Sequence, residues 1–254
     1  MGLGDELQAA GHAHWLSQRR GGGKIEIIDR VRQRRWHGLW ERMPWVARPG
    51  DRDVVGGIVN GPGVRPYIAR SSPARWTWSE YVSHPCPIVL TDEERGFGAR
   101  AAGLVLLAPA IKRGASPNKL WPAERWRSLA RLLADGGAPV AQLEQPGGDD
   151  VPLDVPVRLA APTLWHAGAL ISAARCLVTH EGALHHLAAG LAARSVVIRG
   201  GYVGIRQTGY ELPSQIELAA PGEACGWRIP CEHCRDAMAA IAPERVATAV
   251  LEGR

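Results

Sequence analysis

A chain of 254 residues with 46% hydrophobic content is long enough to bury one large core or two modest ones, so disorder is excluded for its bulk. Thirty Lys and Arg against 25 Asp and Glu leave a net charge of +5. That balance admits an anionic partner such as a nucleotide, a phosphorylated glycan or nucleic acid, although the arginines are dispersed. No apolar run approaches the ~18 to 20 residues of a membrane helix. The opening MGLGDELQAAGHAHW also lacks the apolar centre of a secretory signal, and the five cysteines are unevenly spread rather than set out as a disulfide framework. A cytoplasmic location is expected.

The first predicted element is an amphipathic helix over residues 5–17. Before it stands Met1-Gly-Leu-Gly, a turn whose glycines let backbone approach a ligand closely, with Asp5 placed as a helix cap or a general base. A strand over residues 24–28 follows, then Gly/Pro/Arg/Trp-rich sequence with few clean periods. Trp36, Trp40, Trp45, Trp76 and Trp78 crowd this stretch, read as core packing with stacking on a sugar or base as the alternative. Near residue 105 the pattern becomes a regular alternation. Strands are expected at 103–108, 139–143, near 157, 175–179 and 195–198. Helices are expected at 122–134, 163–174 and 182–193, with a final helix over 236–251, and a Pro/Gly/Asp loop begins at Gln145. Strands alternating with helices of this length imply right-handed crossovers and a parallel sheet covered on both faces, a Rossmann-like domain over 105–254. Residues 1–104 are expected to form a reduced, loop-rich α/β domain.

Chemistry-bearing residues concentrate beside the expected strand ends. The segment 110–122 carries Lys112, Arg113 and Lys119 with Ser116 and Asn118 in a strand-to-helix loop, where a diphosphate would suit their charge. Residues 179–190, THEGALHHLAAG, look at first like a zinc protease helix. Two histidines that share a metal from one helix sit four apart, whereas His185 lies five residues after His180, about 140° away at ~100° per residue. The flanks instead predict a strand, a tight turn and a helix. His180, Glu181, Gly182 and Ala183 then stand at a ligand mouth beside a helix N-terminus, whose free N–H groups favour an anion. Glu181 would accept hydroxyls rather than face a phosphate. With Leu184, Leu187 and Leu191 as the buried stripe, His185 and His186 are both expected off the core face and near the mouth, and a site role is expected of one of them, His186 ahead of His185.

Gly4-Asp5, Lys119-Leu-Trp-Pro122 and Thr179-His-Glu-Gly-Ala-Leu-His-His-Leu-Ala-Ala189, in this order, resemble glycosyltransferase family 9, the ADP-heptose heptosyltransferases, and in particular its short bacterial and phage variants. The resemblance covers the first 20 residues and most of 100–254. It implies a GT-B fold of two Rossmann-like domains, with the acceptor on the first and the nucleotide sugar on the second. It also implies metal-independent, inverting transfer from an ADP-heptose-like donor, with no cofactor required. Asp5 then matches the acceptor-activating acid, Lys119 the phosphate ligand and Glu181 the donor-contacting acid, with Gly182 and Ala183 beside the diphosphate. Glu181 stands where the family has Asp, Gly182-Ala183 where it has Ser/Thr-Gly, and no strand precedes the Gly-Asp turn, so the first domain is expected to be reduced. The acceptor could be a glycan or a hydroxymethylpyrimidine base in DNA. A non-catalytic nucleotide- or sugar-binding module is the rival reading.

The last motif is Cys225-Gly-Trp-Arg-Ile-Pro-Cys-Glu-His-Cys234. Cys225, Cys231 and Cys234 have the closeness that tetrahedral thiolate ligation wants, with His233, Cys86 or another residue as a fourth ligand; free thiols and a redox pair are the alternatives. Relatives in the family carry cysteine-bound iron or zinc near this region, which makes a structural zinc or iron conceivable here.

Overall fold

The computed structural model describes residues 1–145, 148 and 151–252; four positions of the expected Pro/Gly/Asp loop, 146, 147, 149 and 150, lie outside them. From residue 105 the chain builds a six-stranded sheet from β5 (Val105–Ala108), β6 (Val140–Glu144), β7 (Val157–Ala160), β8 (Cys176–His180), β9 (Ser195–Arg199) and β10 (Gln215–Ala219). Their order is β10-β9-β8-β5-β6-β7, and every pairing is parallel. Every residue of β5, β8 and β9 is buried, which is why β5 and the middles of β8 and β9 read as short apolar runs rather than as alternations, with Thr179, His180, Ser195 and Arg199 at the strand ends.

Successive side chains of these strands point to opposite faces, and each face has its own core. Val105, Leu107, Val178, Val196 and Ile198 pack with α3 (Ala123–Asp135) and α8 (Pro243–Glu252). The α3 residues Trp126, Leu129, Ala130 and Leu133 are all buried, and their spacing of 3, 4 and 7 makes one stripe. Complete burial of Leu129 or Leu133 contributes roughly 1.5–3 kcal/mol. Leu106, Ala108 and Leu177 face the other way, toward α4 (Leu164–Ala173) and α5 (Ala183–Gly190).

That second core continues into the first part of the chain, where it includes Leu7, Ala10, Ile25, Ile27 and Trp40. The helix α1 (Leu3–Arg19) lies against α5 and against β1 (Lys24–Ile28), which pairs in parallel with β2 (Val54–Val59). Two indoles fasten α1 from the side, Trp40 Nε1 donating to Glu6 O at 3.1 Å and Trp45 Nε1 to Ala10 O at 2.8 Å. Much of the early tryptophan content is therefore packing, as expected. A short antiparallel hairpin, β3 (Ile68–Ser71) and β4 (Trp76–Trp78), and the helix α2 (Asp92–Gly98) complete the first part.

Several details differ from the sequence reading. The expected helix over 236–251 is two helices, α7 (Glu232–Ala239) and α8, because Pro243 lacks an N–H and its ring disfavours a helical residue before it. Helix α5 stops at Gly190, short of the expected 193. The hairpin, β2, α2, β10 and the four-residue turn α6 (Ile205–Thr208) were not expected. Among the described residues, no helix is long and apolar enough to cross a membrane.

Candidate active site

Counted from β5 as the first strand, the sheet order runs 3-2-1-4-5-6, and the order reverses between β5 and β8. Open α/β sheets bind ligands at that switch point, outside the carboxyl ends of the strands. Ala108 pairs with Thr179, so β5 and β8 end level, and the Lys119 loop and the Glu181 turn leave the same edge of the sheet side by side. A cavity of about 700 Å³ opens there. From the first part of the chain it is lined by Met1 to Asp5, Arg65, Tyr67, Trp76 and Trp78. From the second it is lined by residues 110–116, Lys119, residues 179–184, His186, Tyr202, Val203, Thr208 and Arg228.

The two turns meet through charge. Lys119 Nζ donates to Glu181 Oε2, and the ammonium also sits 5.5 Å from the Tyr202 ring centre. Burial by itself would raise the Glu181 carboxyl, but Lys119, Arg199 and His186 outweigh it and hold the group well below the usual carboxylate range. Glu181 is therefore an anion flanked by two cations. Arg199, almost fully buried, clasps Glu217 with Nε and Nη2 at 3.0 and 3.1 Å and donates to Thr208 Oγ1 at 2.7 Å, so it is fixed from behind. Just past Glu181, α5 begins with no side-chain cap on its first turn, and Gly182, Ala183 and Leu184 line the cavity. Uncapped N–H groups at a helix start are ready donors to an anion.

Asp5 lines the same cavity from the first turn of α1. Its Oδ1 accepts from Tyr67 Oη at 2.6 Å and lies 2.7 Å from Arg65 Nε; its Oδ2 accepts from Arg65 Nη2 at 3.0 Å and from Gly2 N at 3.0 Å. Burial pushes this carboxyl up, but Arg65 and Tyr67 more than offset it, so the group lies below its ordinary value. Asp5 reaches the cavity because Gly4 lets α1 touch α5. A Cβ there would lie 2.9 Å from His186 Cδ2 and 3.2 Å from Ala183 N.

The structure redistributes the expected site residues. Asp5, Lys112, Ser116, Lys119, Glu181, Gly182, Ala183 and His186 all line one cavity. His180 contributes to its lining too, but the imidazole is committed elsewhere: Nε2 accepts from Trp121 N at 2.9 Å and the ring stands edge-on to Trp126 at 5.2 Å. Burial pushes it down to about 3, so it is neutral. Asn118 is buried, with its amide bonded to the backbone of Trp227, Ile229 and Cys231, and so is turned away from the 700 Å³ cavity.

The two helix histidines are buried, contrary to the expectation of an open face: Gly4 of α1 comes against His186, while His185 lies against Tyr210 and 3.3 Å from Glu217 of β10. His186 Nδ1 hydrogen bonds with Tyr210 Oη at 2.8 Å, and burial with the adjacent His185 brings its pKa down to about 3. Glu181, His185 and His186 each bring an atom within 4.8 Å of the others, a group that could hold a cation, but Lys119 already pairs with Glu181. Arg65, Tyr67, Tyr202 and Arg199 escaped the sequence reading, since they come from loops and strand ends without motif spacing.

The cysteine motif also closes on itself. Cys225 Sγ lies 3.8 Å from Cys231 Sγ and 3.2 Å from Cys234 Sγ, and His233 Nδ1 lies 4.0 Å from Cys234 Sγ. Cys225, His233 and Cys234 each bring a ligand atom within 4.8 Å of the others, a group that could hold a metal ion, and Cys231 Sγ stands beside it at about the sulfur–sulfur separation of roughly 3.8 Å that a tetrahedral thiolate site would give. Cys86 is not part of the group; it is buried against Met43, 3.6 Å from its Sδ.

No family model matches the chain, and no curated protein matches its sequence. Solved structures do. Escherichia coli ADP-heptose LPS heptosyltransferase II aligns at 20% identity and a TM-score of 0.50, over 71% of this chain and 56% of that one. A glycosyltransferase family 9 structure from Veillonella parvula DSM 2008 aligns at 15% identity and 0.63, over 100% and 95%. The iron-containing dodecameric glycosyltransferase TibC of enterotoxigenic E. coli H10407 aligns at 12% and 0.62, over 99% and 73%. This chain thus spans little more than half the length of heptosyltransferase II. Its architecture is GT-B-like with a reduced first domain, the fold seen in glycosyltransferase family 9 and heptosyltransferase structures.

Proposed function

We propose that this chain is a glycosyltransferase that moves a sugar from a nucleoside-diphosphate sugar, ADP-heptose-like in class, to a hydroxyl acceptor. The observation that carries the reading is the meeting of Lys119, the uncapped start of α5 and Asp5 in one cavity at the switch point of the sheet. Residues 105–254 hold the donor and residues 1–104 supply the acceptor wall. On donor binding, Lys119 turns from Glu181 to the diphosphate, and Glu181, still balanced by Arg199, accepts sugar hydroxyls.

The acceptor hydroxyl attacks the anomeric carbon while the bond to the diphosphate oxygen breaks. The proton passes to Asp5, and the departing charge is met by Lys119 and the first amides of α5. Attack on the face of the sugar ring opposite the leaving group would invert the anomeric centre. Arg65 and Tyr67 keep Asp5 ionised but also make it a weak base, so the proton moves late, as the hydroxyl grows acidic in the transition state. With the departing charge met by Lys119 and the first amides of α5, the proposed transfer runs without a metal.

A panel of nucleotide sugars tests the proposal. Wild type should transfer or hydrolyse one of them, and Asp5→Ala should lose about 10²–10⁴-fold in turnover while keeping nucleotide affinity. Full turnover in Asp5→Ala would remove the base assignment, and binding without turnover in the wild type would favour the non-catalytic module.

The cysteine cluster is proposed to hold a structural zinc or iron through Cys225, Cys231, Cys234 and His233. Its chemistry there would be to close the surrounding loop, with no part in the transfer. Elemental analysis of purified protein should give about one metal per chain, lost in Cys231→Ser and Cys234→Ser.

A further inference from the structure

Asn118 uses its whole amide on one loop. The nitrogen donates to Trp227 O at 2.6 Å and Ile229 O at 2.7 Å, and the oxygen accepts from Cys231 N at 3.1 Å. The same loop is tied at two other places. Cys225 N donates to Gly201 O at 2.8 Å and Gly226 N to Tyr202 O at 3.0 Å, at the exit of β9. Trp76 N donates to Gly226 O at 2.9 Å and Arg228 N to Ala74 O at 2.8 Å, at the β3–β4 hairpin. Gly226 has φ +68°, and a Cβ there would lie 1.9 Å from Trp76 O, so the contact with the hairpin admits glycine alone.

Residues 225–231 therefore touch both walls of the cleft. On one side they hold the short turn Pro117–Lys119, which ends in the lysine that meets Glu181. A turn of three residues has little stability of its own. On the other side they hold the hairpin whose Trp76 and Trp78 line the first-part wall.

We infer that Asn118 is a positioning residue, and that loop 225–231 is a clasp coupling the Lys119 turn to the β3–β4 hairpin. The affinity-bearing side of the inference rests on the proposed role of Lys119 as diphosphate ligand; the coupling does not.

Amide hydrogen exchange on the unliganded full chain reads the coupling directly. Asn118→Ala should speed exchange about tenfold or more at 116–120, at 226–228 and at 74–76, while β5 and β8 keep wild-type protection. Unchanged exchange at 116–120 or at 74–76, or equal acceleration throughout β5 and β8, would overturn the clasp. ADP titrated into both proteins supplies the second readout, with affinity expected to fall about 5- to 20-fold in the variant. Equal affinity in the two would overturn the positioning of Lys119. If ADP and other nucleoside diphosphates fail to bind even the wild type, the transferase reading fails, and the exchange data still decide the coupling.

Discussion

Lys119 and Glu181 are each other's partner in the unliganded cleft, and the consequences of changing them follow from what remains. In the proposed turn of Lys119 from Glu181 to a diphosphate, the carboxylate would keep the favourable charge of Arg199, which itself is paired with Glu217. Lys119→Ala should therefore leave the fold intact and weaken nucleoside-diphosphate binding about 10- to 100-fold, the scale of one charge-assisted hydrogen bond, as isothermal titration would measure. Unaltered affinity would show that the diphosphate lies elsewhere. Asp5 presents the opposite case, a carboxylate fixed by a side-on arginine, a tyrosine hydroxyl and a backbone amide. Its position is held from three sides, which supports the proposed meeting with an acceptor hydroxyl in one geometry.

Among the elements, the junction of α1 and α5 decides the site. The two helices approach closely enough that Gly4 of one nearly touches Ala183 and His186 of the other. In an exposed helix, glycine to alanine stabilises by roughly 0.5–1 kcal/mol. Here the added methyl must displace a backbone amide and a packed imidazole, so Gly4→Ala should instead cost about 1–3 kcal/mol and lower the melting temperature by several degrees. It should also reduce turnover, because α1 carries Asp5. A melting temperature equal to or above wild type would mean that the helices do not meet in this way.

Across the whole molecule, buried ionisable groups make the fold sensitive to acid. His180 and His186 are pushed down to about 3 by burial, whereas an unfolded histidine takes a proton near 6.5. Glu217 lies at about 2; burial opposes this, but Arg199 and His185 prevail. In each case the unfolded chain binds protons first as the pH falls. Stability from the histidines is complete above 6.5 and declines as pH drops toward 3, and the Glu217 contribution is lost below about 4.5. Melting temperatures should hold steady from pH 8 to 7 and then fall continuously to pH 4, less steeply in His186→Gln. A flat profile between pH 6.5 and 4 would contradict the burial of both imidazoles.

The local pattern alone determined most of the second part of the chain. The alternation of apolar strands with helices fixed a parallel sheet, because a strand such as β5 has no polar face to offer water. It also placed Lys119 and Glu181 beside strand ends, since such motifs announce themselves by spacing. What only tertiary structure decided concerns contacts between distant segments. That β5 and β8 are neighbours brings Lys119 onto Glu181, and the packing of α1 on His186 and of Tyr210 and Glu217 on His185 buries both imidazoles. Asn118 is turned away from the cavity by a loop more than a hundred residues later, and Asp5 is clasped by Arg65 and Tyr67 from a stretch with no regular period. Periodicity reports which face of an element is apolar, whereas the partner of a polar group is set by chain topology, which no local window contains.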